Sequence, residues 1–153
     1  MEFRELLSYA LSLLSKRDYS ERALAVKLGE KFPQASPEEI SLVVKELSEQ
    51  GFLDEYRAVY AYFDSKVKKG WGRRKIVYSL KQKGFKPEVI KEVELSFPFD
   101  YSYAVREVKK KYPGDRIKAG RFLLQRGFTF LEVEEILERA GFKRGGGRAA
   151  SGD

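Results

Sequence analysis

A chain of 153 residues, 42% of them hydrophobic, can bury the core of one ordinary domain or of a few small repeated units. It has no cysteine and no histidine, which excludes disulfides, thiolate nucleophiles, zinc sites of the usual ligand types and histidine acid–base catalysis. The net charge of +7 is uneven: residues 1–55 hold seven basic and eleven acidic side chains, residues 56–153 twenty-three and twelve, so the later part is suited to a polyanion or an acidic protein surface.

The opening "MEFRELLSYALSLLSKRDYSE" predicts an amphipathic helix over about residues 2–16. It lacks the basic start, unbroken apolar stretch and small-residue cleavage site of a signal peptide, and no apolar run is long enough for a transmembrane span. A cytoplasmic protein is expected. Ser20 then stands where an N-cap belongs, with Leu24 and Leu28 on one face of the helix it starts. Ile40 and Val43 mark a third helix after the long link "FPQASPEE".

The same order recurs twice. A second long helix is predicted over about 54–69, with Tyr56, Val59, Tyr60, Phe63 and Val67 as its apolar stripe; Asp54 caps it and Glu55 complements its dipole. Gly72 then caps a helix carrying Ile76 and Leu80, and Ile90 and Val93 mark the next. In the third copy a helix over about 100–111 leads to the cap Asp115 with Ala119 and Leu123, then to Val133 and Ile136.

The helix ends are written alike. Gly-Phe occurs at 51–52, 84–85, 127–128 and 141–142, each time with a leucine four residues before the glycine: Leu47, Leu80, Leu123 and Leu137. This is the pattern of a Schellman end, with glycine in the left-handed position and phenylalanine returning to the leucine. "LGEKF" in the first copy breaks the rule, with lysine in place of glycine.

The expected fold is therefore all-α, three tandem three-helix repeats: residues 1–53 (acidic), 54–97 (strongly basic) and 98–142 (basic), followed by a disordered Gly-rich tail over 143–153.

Binding is expected where cations crowd. "KVKKGWGRRKIVYSLKQKGF", from Lys66 to Phe85, holds eight lysines and arginines and no acid. Arg73, Arg74 and Lys75 fall in a first helical turn, where the dipole disfavours cations by up to about 1 kcal/mol each, so a bound anion explains them better than stability does. Lys68, Lys69, Lys81 and Lys83 extend this surface. Trp71 reads either as a staple against Ile76 or as a partner contact. The third copy adds Lys109, Lys110, Lys111, Arg116, Lys118, Arg121 and Arg126, of which Lys118, Arg121 and Arg126 join the candidate site. No catalytic or metal-binding residue and no cofactor is expected.

"GFLDEYR", "KKGWGRRKIVYSLKQKGF" and "RFLLQRGFTFLEVEEIL" together resemble the RecX family of bacterial regulators of the RecA recombinase, over about residues 8–142. The resemblance departs from the family where Ala58 and Val59 follow "LDEYR", and where Arg73 stands in place of a common proline. It implies three tandem three-helix repeats and a non-enzymatic protein. It also implies binding in the groove of the RecA–DNA filament, usually restraining strand exchange; DNA phosphates are expected as further contacts, and the protein is expected to be a monomer. Two other readings are weighed against it: an independent helix-turn-helix-like DNA-binding protein, and a metal-dependent nuclease using carboxylates alone.

Overall fold

The structure, a computed structural model, describes residues 3–144. Among them are nine helices and no strand: α1 Phe3–Leu14, α2 Glu21–Lys31, α3 Pro37–Glu49, α4 Glu55–Val67, α5 Arg73–Gln82, α6 Pro87–Ser96, α7 Ser102–Lys111, α8 Arg116–Gln125 and α9 Phe130–Arg139. The all-α class and the nine-helix order agree with the sequence reading. The expected disorder of the tail concerns, beyond Arg144, residues outside those described.

Boundaries follow local chemistry. Ser20 Oγ accepts from the Ala23 N–H at the start of α2, and Asp115 accepts from Lys118 N–H at the start of α8. The α3 and α9 starts carry full capping boxes, Ser36 with Glu39 and Thr129 with Glu132. All four Gly-Phe sites are Schellman ends. Gly51, Gly84, Gly127 and Gly141 have φ between 83° and 95°. Phe52, Phe85, Phe128 and Phe142 donate their N–H groups to Leu47, Leu80, Leu123 and Leu137 carbonyls at 2.9, 3.3, 3.2 and 3.0 Å.

The chain forms two compact units: one takes the chain up to Ala61 together with Ser79–Ser96, the other Tyr62–Tyr78 together with the chain from Phe97 onward. Helices α4 and α5 thus contribute residues to both. In the first unit, Leu6 and Ala10 of α1, Leu24 and Leu28 of α2, and Val43 and Leu47 of α3 form one core, closed by Tyr19 and Leu53. In the second, Ala104 and Val108 of α7, Ala119 and Leu123 of α8, and Val133, Ile136 and Leu137 of α9 do the same around Phe128. Corresponding positions of the repeats fill corresponding places, each cluster burying three helical stripes together.

Two expectations for α4 are corrected. Val59, Phe63 and Val67 are buried with Ala58, but Tyr56 and Tyr60 are 41% and 40% exposed. The i, i+4, i+8 row of Val59 carries the seam, and the two tyrosines stand beside it. Glu55 does more than complement the helix dipole: it is only 6% exposed, and its carboxylate accepts from Glu21 N–H at 2.7 Å and from Lys86 N–H at 3.0 Å. One buried carboxylate thereby joins the starts of α2 and α6, two places rich in unpaired amides. Asp54 is the cap expected, accepting from Arg57 N–H at 3.1 Å.

Candidate functional site

The basic stretch of the second unit is organised by a fifth helix end of the same kind. Gly70 has φ 84°, its N–H donates to Val67 O at 2.9 Å, and Trp71 N–H donates to Lys66 O at 3.0 Å. Lys66 therefore holds the place that leucine holds at the Gly-Phe ends, and Trp71 the place of phenylalanine. The usual apolar contact becomes a cation over a ring: Lys66 Nζ lies 4.7 Å from the Trp71 ring, and Lys75 Nζ lies 4.5 Å from it. Tyr62 meets the indole edge-on at 6.5 Å. Lys66 opens the basic stretch but is not among the site residues expected from the sequence, although its spacing of four from Gly70 is the available signal.

Further cations lie over rings. The Arg73 guanidinium is 4.3 Å from the Phe99 ring, and the Arg126 guanidinium 4.4 Å from Phe122. Arg126 also donates to Lys69 O at 3.2 Å. An aromatic face orients a cation without cancelling its charge, so these contacts hold the side chains in place.

Carboxylates neutralise others. Lys68 Nζ is 3.1 Å from Asp64, and that hydrogen bond raises the lysine pKa. Lys111 pairs with Glu107 at 3.5 Å, and Arg116 with Glu134 at 3.0 Å while also donating to the Phe142 and Lys143 carbonyls. These belong to the fold's own bonding. Lys69, Arg74, Lys118 and Arg121 of the second unit are exposed, as are Lys81 and Lys83, which belong to the first.

The α5 start penalises cations less than its dipole alone would. Gly72 N–H donates to Arg126 O at 2.7 Å and Arg74 N–H to Gly127 O at 3.2 Å, so carbonyls at the end of α8 occupy these amides. The negative end of one helix meets the positive end of another, which reduces the cost of cations in the α5 first turn. Anion binding here would fall to the side chains, not to free backbone amides.

No group of three or more acidic residues suited to a metal ion is present among the described residues, and no helix among them is long and apolar enough to cross a membrane. The chemistry on offer is electrostatic: positive charge ordered over an indole, which fits phosphates and carboxylates.

Residues 54–93 match the model of the RecX second three-helix domain. Proteins named regulatory protein RecX are similar along most of the chain. The one from Salmonella arizonae is 31% identical over 88% of this chain and 90% of its own length; the one from Cronobacter sakazakii is 30% identical over 88% and 91%. The crystal structure of RecX from Lactobacillus salivarius superposes with a TM-score of 0.78 at 16% identity, covering 91% of this chain and 96% of that one. A second crystal structure, of regulatory protein RecX, gives 0.72 at 19% identity over 91% and 72%. The chain belongs to the RecX family of regulatory proteins.

Proposed function

We propose that this regulatory, non-enzymatic protein binds the RecA–DNA filament and restrains its recombinase activity, acting in the cytoplasm as a monomer. The observation that carries the reading is the cluster around Trp71, where the ammonium groups of Lys66 and Lys75 are ordered over one aromatic ring. Arg73 over Phe99 and the exposed Arg74 and Lys69 extend it within the second unit. Cations already ordered over rings favour an anionic surface, because less side-chain freedom is lost on binding.

Acidic surface on the recombinase and DNA phosphates within the filament both supply that charge. Lys118, Arg121 and Arg126 in the third repeat, with Lys81 and Lys83, offer further points of contact. Several weak contacts to adjacent filament subunits combine into tight binding and hinder growth or rearrangement of the filament. Altered ATP hydrolysis and strand exchange by the partner follow, with no chemistry done by this chain.

Co-sedimentation with recombinase filaments, with and without DNA, tests the reading. Capture by filaments at salt concentrations where naked DNA no longer binds supports it. Tight, sequence-dependent binding to naked DNA alone would instead support an independent DNA-binding protein.

A further inference from the structure

The first unit carries a second charged surface, hidden from the sequence because its residues come from distant segments. A groove of about 550 Å³ beside α2 is lined by Arg17, Arg22, Lys27, Lys81 and Lys83, with Glu30 as the only carboxylate among the described lining residues. The region reads as acidic in composition, yet this face is basic.

The groove is built from repeat-specific contacts. Ser20 Oγ donates to Lys83 O at 2.7 Å and fixes the end of α5 against the start of α2. Gly84 lacks a side chain where a Cβ would lie 3.1 Å from Arg22 Cδ, so the arginine stem rests on the glycine. The Arg17 guanidinium sits 4.6 Å from the Tyr19 ring. Arg22, Lys27 and Lys81 form no ion pair among the described residues. Lys81 and Lys83 suit a helix C-terminus, and Arg22 lies in the first turn of α2, where Glu55 and Ser20 already accept from the Glu21 and Ala23 amides.

A second groove, of about 650 Å³, adjoins the same helix and is walled by Ala25, Val26, Pro37, Ile40 and Val44. Both grooves share Arg22 and Val26, and Val26 is 55% exposed on the ridge between them. A nucleic-acid backbone answers the basic groove but has nothing for the aliphatic one. A polypeptide with carboxylates beside aliphatic side chains answers both.

We infer that the α2 face of the first unit is a docking surface for an acidic, amphipathic protein segment. It sets carboxylates against Arg22, Lys27 and Lys81, and aliphatic side chains between α2 and α3. This goes beyond the filament reading and is tested without recombinase, so either can fail alone.

The probe is a fluorescein-labelled helical peptide of about 15 residues, with leucines at i, i+3, i+4 and i+7 and glutamates elsewhere, titrated with the full chain. Its companions are the same peptide with serine for leucine and an oligothymidylate of similar length. The serine peptide is expected to bind at least about tenfold more weakly. Lys27→Glu, Lys81→Glu and Val26→Ser are each expected to weaken the leucine peptide about fivefold or more, while Arg121→Glu in the second unit leaves it unchanged. Circular dichroism checks each variant's fold, and Lys81→Glu stands in should Lys27→Glu disturb α2. No binding of the leucine peptide, equal binding of the serine peptide, or a loss confined to the oligothymidylate would overturn the inference.

Discussion

The amide of Gly72 donates to the carbonyl of Arg126 at 2.7 Å, bringing the start of α5 against the end of α8 with no side chain between them. A Cβ on Gly72 would lie 2.6 Å from the Gly127 carbonyl carbon, and one on Gly127 would collide with Lys75 N. The first unit repeats the relationship with Ser20 and Lys83, where a hydroxyl makes the bond to the carbonyl. Corresponding places in successive repeats thus meet in the same way.

Gly72→Ala is expected to cost about 1–3 kcal/mol, because backbone on both sides must move apart. Gly51→Ala, at φ 83° but with open space around it, is expected to cost only the backbone strain, about 1–2 kcal/mol. Urea denaturation of the two variants checks the order. A milder effect at Gly72 than at Gly51 would contradict the close approach.

Glu55→Ala removes the acceptor shared by Glu21 N–H and Lys86 N–H. The loss is expected to be about 3 kcal/mol, since charge-assisted bonds are broken and buried amides are left unmatched. Glu55→Gln keeps one carbonyl acceptor and is expected to lose roughly half as much. Hydrogen exchange at Glu21 and Lys86 amides would locate the effect, and unchanged protection there would argue against the bridge.

Tyr101 is expected to make stability fall in alkali. Burial, followed by its 2.6 Å hydrogen bond to Glu132, pushes its pKa up from 10.0 to about 12. The folded state therefore keeps a proton that the unfolded chain releases, so this contribution is complete below pH 10 and disappears as the pH rises towards 12. Comparing Tyr101→Phe with the parent chain across that window isolates it from lysine titration. The stability difference between them should shrink as pH rises; a difference independent of pH would contradict the assignment.

Trp71→Ala is expected to release Lys66 and Lys75 from the indole while leaving their charge in place. Filament affinity should fall about three- to tenfold, with the salt dependence largely kept, because order is lost but cations are not. An altered salt slope with unchanged affinity at low salt would argue against a positioning role for the ring.

What could be read from the residues was mostly what local chemistry controls. The Leu-x-x-x-Gly-Phe ends, the Ser20 and Asp115 caps and the buried pairs Leu24/Leu28, Ile76/Leu80 and Ala119/Leu123 depend on neighbours within a turn or two. Glu55 was underestimated because its partners lie 34 and 31 residues away. The contacts that hold Arg73 and Arg126, to the Phe99 ring and to the Lys69 carbonyl, likewise come from elsewhere in the chain. The groove of Arg17, Arg22, Lys27, Lys81 and Lys83 was invisible to charge counting, since residues 1–55 sum to a negative balance. Spacing locates helices and their ends; which cations remain uncompensated is a matter of tertiary contact.

Exposed cations of the second repeat, Lys69 and Arg74 among them, are proposed to grip an anionic recombinase filament. The most direct measurement is recombinase-driven strand exchange titrated with the parent chain and with the Lys69→Glu/Arg74→Glu variant, whose changed side chains are exposed. The expected result is that the folded variant needs at least about tenfold higher concentration for half-inhibition. Inhibition by that variant at the same concentration as the parent would contradict the claim.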